Sequence, residues 1–130
     1  ITNTAIKDAV FKHCNLLGVD FGVCNQILLS FSFKSCRLDL SSFYQLPLKE
    51  TRFTLCSIKE VDFIETDLTG AVFDECDMEG TIFENSVLLK ADFRKAKNFS
   101  IDPENNRMSK AKFSRADLEG LLGKYDIDIS

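Results

Sequence analysis

From Phe33 onward the chain repeats every five residues. Stepping by five gives Phe33, Leu38, Phe43, Leu48, Phe53, Ile58, Phe63, Leu68, Phe73, Met78, Phe83, Leu88 and Phe93, all large and apolar. Two residues ahead of each centre runs a second, mostly small column: Cys36, Ser41, Thr51, Cys56, Val61, Thr66, Ala71, Cys76, Thr81, Ser86 and Ala91, with Phe31 and Leu46 as bulky exceptions. The other positions of each five are largely polar. A helix would carry such a stripe around its own axis, and a continuous strand would flip it from face to face. The pattern is satisfied when each five makes one short extended side and then a corner. The small residue and the centre, two apart, then both point inward.

Four sides make a coil of about 20 residues, and stacked coils pair as parallel β-bridges about 4.8 Å apart. No coil buries its own interior, so stacking supplies the core. The centres alternate Phe with an aliphatic residue, which supports four sides independently. Steps of 20 align Phe33, Phe53, Phe73, Phe93 and Phe113 on one wall and Phe43, Phe63 and Phe83 on the opposite one. Leu38, Ile58 and Met78, and Leu48, Leu68 and Leu88, form the two walls between. The first part runs in a shifted register: Ile6, Phe11, Leu16, Phe21, Gln26. One coil of 22 residues restores the columns, with the two extra residues expected as a bulge near 27–32. Cys14, Cys36, Cys56 and Cys76 then share one small-residue column continued by Ala96 and Ala116. That reads as packing by a small buried hydrophobe in preference to a thiol ladder for metal or redox work.

Composition narrows the class. The chain has 130 residues, enough for one domain, with 12 Phe but no Trp and 2 Tyr. No apolar run approaches the roughly 20 residues of a membrane span, and the first residues carry no signal-peptide pattern. Five Cys and one His, His13, with no CxxC pair, give neither a closed disulfide framework nor a zinc site. A cytoplasmic setting is the simplest expectation. The chain starts without Met, and upstream coils are expected to be missing.

The repeat resembles the bacterial pentapeptide-repeat family, whose consensus is A(D/N)LXX. It appears as TDLTG at 66–70, AVFDE at 71–75, CDMEG at 76–80 and ADFRK at 91–95. The resemblance implies an all-β, right-handed, four-sided parallel β-helix of about five coils over residues 1–113, with 98–110 as an irregular coil or loop. Residues 114–130 are expected to form a cap. Ser114 and Asp117 have capping-box spacing, Ala116 to Leu122 reads as a short helix closed by Gly123, and Tyr125 to Ile129 alternates like a strand. This ending resembles that of quinolone-resistance (Qnr-type) members. That likeness implies homodimerisation through the C-terminal end and a DNA-mimicking surface that binds type II topoisomerases, DNA gyrase and topoisomerase IV.

Net charge is −4 but unevenly spread. From Glu60 to Asp92 there are ten acids and one base, Lys90. Asp62, Glu65, Asp74, Glu75, Asp77, Glu79 and Glu84 fall at outward positions on three of the four walls. They are the candidate partner-binding surface. No nucleophile–base pair, glycine-rich phosphate loop or metal cluster stands out, so no catalytic, cofactor or metal residues are expected. The acidic belt argues against direct nucleic-acid binding. The expectation is a non-enzymatic module that presents acidic surface to a protein partner. Its alternatives are the topoisomerase-binding DNA mimic and a structural solenoid fragment of a longer protein.

Overall fold

The computed structural model describes residues 6–7, 10–24, 28–29 and 32–130. Its backbone winds into a stacked, four-sided parallel β-solenoid. The first Phe wall is the most regular sheet. It consists of β2 (Val10–Lys12), β4 (Ser32–Lys34), β5 (Arg52–Thr54), β6 (Val72–Asp77) and β7 (Asp92–Lys97), paired in parallel in that order. β1 (Ile6–Lys7) pairs with β3 (Leu28–Leu29). The other walls are held by single parallel bridges, such as Arg37 to Ser57 to Asp77, Ser42 to Asp62 to Ile82, and Pro47 to Asp67 to Val87. Each of these steps is 20 residues, which is the predicted coil.

Below Phe33 the step is 22: Phe11 pairs with Phe33 and Asp20 with Ser42. Leu28 is already level with Ile6, also 22 apart. The two extra residues therefore lie between Phe21 and Leu28, earlier than the 27–32 window that follows from taking Gln26 as a centre. Phe21–Cys24 turns there as a 3-10 helix. Residues 25–27 and 30–31, Gln26 and Phe31 among them, lie outside the described residues. Four turns are described throughout, from Phe33 to Phe113, against the expected five or so; the fifth, lowest turn is described in part.

The interior explains the choice of Phe. Along the first wall Phe11, Phe33, Phe53, Phe73, Phe93 and Phe113 stack face to face at 4.9–5.3 Å. Along the opposite wall Phe21, Phe43, Phe63 and Phe83 stack at 4.5–5.4 Å. Across the tube the two ladders meet edge to face, for example Phe53 with Phe63 at 6.0 Å and 76°. Both geometries suit the aromatic quadrupole. The aliphatic centres Leu38, Ile58, Met78, Leu48, Leu68 and Leu88 seal the flanks, fully buried.

Two local devices hold each corner. The residue two after a centre adopts a left-handed conformation at nearly every side, from His13 and Ser35 through Leu55, Glu60, Glu65 and Glu75 to Lys90, with Gly18, Gly70 and Gly80 filling the same role. The Asp before a centre accepts the amide hydrogen of the residue after it. Ile64, Thr69 and Glu79 amides donate in this way to Asp62, Asp67 and Asp77 at 2.7, 3.1 and 3.2 Å. These turns give the consensus Asp its structural reason. At Gly80 an added Cβ would sit 2.9 Å from the Glu60 Cγ of the coil below, so the glycine also makes room for that side chain.

The small column is a second hydrogen-bond ladder. Cys36, Cys56 and Cys76 donate their thiols to the carbonyls of Phe11, Phe33 and Phe53 at 3.2–3.4 Å. Thr66 and Ser86 do the same to Phe43 and Phe63, each reaching 23 residues back. Cys, Ser and Thr thus share a job that Ala and Val leave undone.

The top of the tube departs from expectation in detail. Asn98, where a centre is due, takes the left-handed conformation; Phe99 fills the interior off the five-residue lattice, and Ile101 is a bulky residue buried in the small-column register. The lattice resumes by Arg107, which bridges Val87. Ser114 does sit at a helix start, but its side chain caps nothing, so no capping box forms. Asp117 lies instead 3.7 Å from Lys97. The helix, Arg115–Leu121, is 3-10 in type, and Gly120 lies against Phe99, closing the core. A second 3-10 turn, Gly123–Tyr125, follows. The expected strand at 125–129 is not formed: Tyr125, Ile127 and Ile129 are exposed and have no β-partner among the described residues.

Candidate functional site

Outward side chains on a solenoid fall into vertical columns, so charge belongs to walls and not to stretches of sequence. The seven predicted acids separate accordingly. Asp62, Glu65 and Glu84 lie together on the second Phe wall, the side built on Phe43, Phe63 and Phe83. Asp77 and Glu79 lie on the Ile58–Met78 wall, where Lys59 stands 3.6 Å from Asp77. Asp74 and Glu75 lie on the first Phe wall, where Asp74 pairs across the sheet with Lys95. All seven are exposed or half-buried, as the inward assignment of the centres requires.

The second Phe wall is the coherent acidic surface. Its outward positions are Asp20 and Gly22, then Ser42, Tyr44 and Gln45, then Asp62, Ile64 and Glu65, then Ile82, Glu84 and Asn85, then Asp102, Glu104 and Asn105. Six are acidic and none is basic. Lys124 of the C-terminal segment reaches the top of this wall and pairs with Asp102 at 3.2 Å and with Glu104. Gln45 donates to Glu65 at 2.9 Å, which fixes that carboxylate against the wall. A shallow depression runs over Asp20, Ser42, Tyr44, Asp62 and Ile64.

The opposite wall carries the reverse sign. Lys12, Lys34, Arg52, Arg94, Lys95 and Lys112 project from the first Phe wall, beside the three acids Asp74, Glu75 and Asp92. Arg94 forks onto Asp92 at 2.8 and 3.0 Å, and this guanidinium holds the Asp92 carboxyl below the usual carboxylate range. A one-residue bulge in β7 sets Lys95 level with Asp74 and opens a groove between Arg52, Val72, Asp74 and Lys95. This wall escapes a reading along the sequence because its bases are about 20 residues apart. Summing charge by wall finds it.

Among the described residues Cys14, Cys36, Cys56 and Cys76 are unpaired in disulfides, and no group of His, Cys, Asp and Glu could hold a metal. Burial pushes the Cys36 thiol up. Contact with Cys56 together with burial drives the Cys76 thiol far above its ordinary range. His13 is exposed at a corner, in the left-handed conformation.

Comparison with known proteins agrees with the architecture. No curated protein matches the chain. Among solved structures, QnrB1 (an R167E, trypsin-treated form of a plasmid-mediated fluoroquinolone resistance protein) superposes over 100% of this chain with a TM-score of 0.61 and 18% identity. The chain spans 62% of that protein's length. The pentapeptide-repeat protein Rfr23 of the cyanobacterium Cyanothece 51142 aligns over 83% of this chain and 89% of its own, at 17% identity and a TM-score of 0.38. No helix among the described residues is long and apolar enough to cross a membrane. The family model for the pentapeptide repeat region matches residues 26–122, and the chain belongs to that family.

Proposed function

We propose that the chain is a non-catalytic binding module whose second Phe wall docks against a basic surface of a protein partner. The carrying observation is that wall's charge: six acids and no base at its outward positions. Columns repeat at the spacing of the stacked coils, about 4.8 Å, so the acids form a rigid, pre-ordered array. Such an array steers a basic partner and sets its register more than it adds affinity. Tyr44 and Ile82, exposed between the acids, supply apolar contact. The wall is built on hydrogen-bonded β-structure, so binding orders little new chain. Of the seven acids, Asp62, Glu65 and Glu84 make the contact; the other four lie on walls where bases neighbour them. Neutralising the three (Asp62→Asn, Glu65→Gln, Glu84→Gln) is expected to empty an affinity pull-down from native lysate. An unchanged set of captured proteins overturns the reading.

A second reading is favoured by the superposition on QnrB1 over the whole chain. In it the acidic wall imitates the phosphate rod of duplex DNA and the partner is a type II topoisomerase. The C-terminal end, where Leu118, Tyr125, Ile127 and Ile129 are exposed, would then join two copies. The check is gyrase supercoiling with and without quinolone. Inhibition or protection at micromolar protein supports it, and neither effect ends it.

A further inference from the structure

We propose that copies of this chain associate side by side, the acidic wall of one against the basic wall of the next, with their tube axes antiparallel. The inference rests on reading the acidic wall as a docking surface and names a second copy as its occupant.

The two walls are opposite sides of one tube, since the Phe ladders beneath them meet edge to face across the interior. Both carry charge on the same coil-to-coil spacing, about 4.8 Å, so the levels of two copies stay in step along the contact. From the N-terminal end upward the acidic wall shows Asp20; then an uncharged level of Ser42, Tyr44 and Gln45; then Asp62 and Glu65; then Glu84; then Asp102 and Glu104. The basic wall shows Lys12; then Lys34; then Arg52; then an acidic level, Asp74 and Glu75; then Lys95 beside the paired Arg94 and Asp92; then Lys112.

These orders match when one copy is turned end over end. Lys34 then faces Glu84, Arg52 faces Asp62 and Glu65, and Lys95 faces Asp20, Arg94 being already paired with Asp92. The acidic interruption at Asp74 and Glu75 falls on the uncharged level of Ser42, Tyr44 and Gln45. Lys12 faces Asp102 and Glu104, a pair already shared with Lys124. With parallel axes Lys12, Arg52 and Lys95 still meet acids, but the match is poorer: Asp74 and Glu75 meet Glu84, a like-charge juxtaposition, and Lys34 meets no acid. Apolar side chains lie on both surfaces, Tyr44 (43% exposed) and Ile82 (47%) on one, Val10 (55%) and Leu55 (51%) on the other.

Because the two contacting surfaces differ, each added copy leaves one wall of each sign free, and the contact builds an open line of tubes and not a closed dimer. A wall five coils tall is about 24 Å high, small for a specific interface. The association is therefore weak and sensitive to salt, which screens charge within a Debye length of about 10 Å at 0.1 M and about 3 Å at 1 M.

The test uses the full chain in sedimentation velocity at high protein concentration. The native chain is expected to sediment as a distribution of oligomers at low salt and as the smallest species near 1 M salt. Lys34→Glu and Glu84→Lys each alter an exposed side chain, so folding is expected to be retained. Each alone is expected to reduce association, and an equimolar mixture of the two to restore it. Three results overturn the proposal: a native chain unaffected by salt, a Lys34→Glu chain that associates as before, or a Glu84→Lys chain that associates more tightly, as parallel axes would require. Oligomers joined at the C-terminal end would survive both substitutions. Lys34 lies on the basic wall, outside the acidic surface, so Lys34→Glu is expected to abolish this assembly and leave the lysate pull-down unaffected, and the two readings fail separately.

Discussion

At the scale of single residues, position within the five decides what a substitution does. Phe63 is fully buried, stacked on Phe43 and Phe83 and edge-on to Phe53 and Phe73. Phe63→Ala removes a ring that four others touch and is expected to cost about 3–5 kcal/mol, the usual penalty for emptying a packed aromatic site. Glu65, two residues on, is exposed and left-handed, with one contact to Gln45. Glu65→Ala is expected to stay within about 0.5 kcal/mol. Urea unfolding of both variants checks the pair, and comparable losses would contradict the inward and outward assignment. Asp, too, is legible by position. Before a centre it caps the next corner through a backbone amide, so Asp62 and Asp77 are partly structural acids even where they face a partner.

At the scale of the coil and its corners, hydrogen bonds between levels carry charge-dependent stability. Asp39 sits where burial opposes ionisation, but the Ser57 hydroxyl at 2.6 Å, the Lys59 amide at 2.9 Å and Arg37 at 3.1 Å outweigh it and hold the carboxyl below the usual range. A carboxyl depressed in the folded state stabilises it above the unfolded pKa, about 3.9, and that stabilisation fades as pH falls through the folded value. Asp39→Asn is therefore expected to lower the urea midpoint near neutral pH, with the gap to the native chain closing below about pH 4. A gap constant with pH would mean that the charge of Asp39 adds nothing. The elements the sequence concealed are those off the five-residue lattice. Phe99 fills the top of the core from a position that belongs to neither inward column, so no period reveals it. The alternation of Tyr125, Ile127 and Ile129 looks like a strand, but a strand needs a neighbour to pair with. None of the described residues supplies one.

At the scale of the whole molecule, closure into a four-sided tube turns a run of acids into surfaces of opposite sign. The stretch from Glu60 to Asp92, with ten acids and one base, reads as one belt along the chain. Wrapped around the tube it is divided among walls, and only the second Phe wall keeps acids without bases. The pull-down, supercoiling and sedimentation measurements all act at this scale, because each asks what a wall does as a unit.

The sequence by itself determined the coil. A five-residue period with alternating Phe and aliphatic centres admits one way of turning every large side chain inward, and Phe33, Phe53, Phe73, Phe93 and Phe113 stack as that requires. It also determined which residues face out, since those left over from the interior have nowhere else to go. Tertiary structure alone decided where the extra residues of the 22-residue coil lie, how the top of the tube is closed, and which charges are neighbours. Register depends on pairing between residues 20 or 22 apart, and charge acts through distance in space. Lys34, Arg52 and Lys95 are remote along the chain and become one surface only when the coils stack.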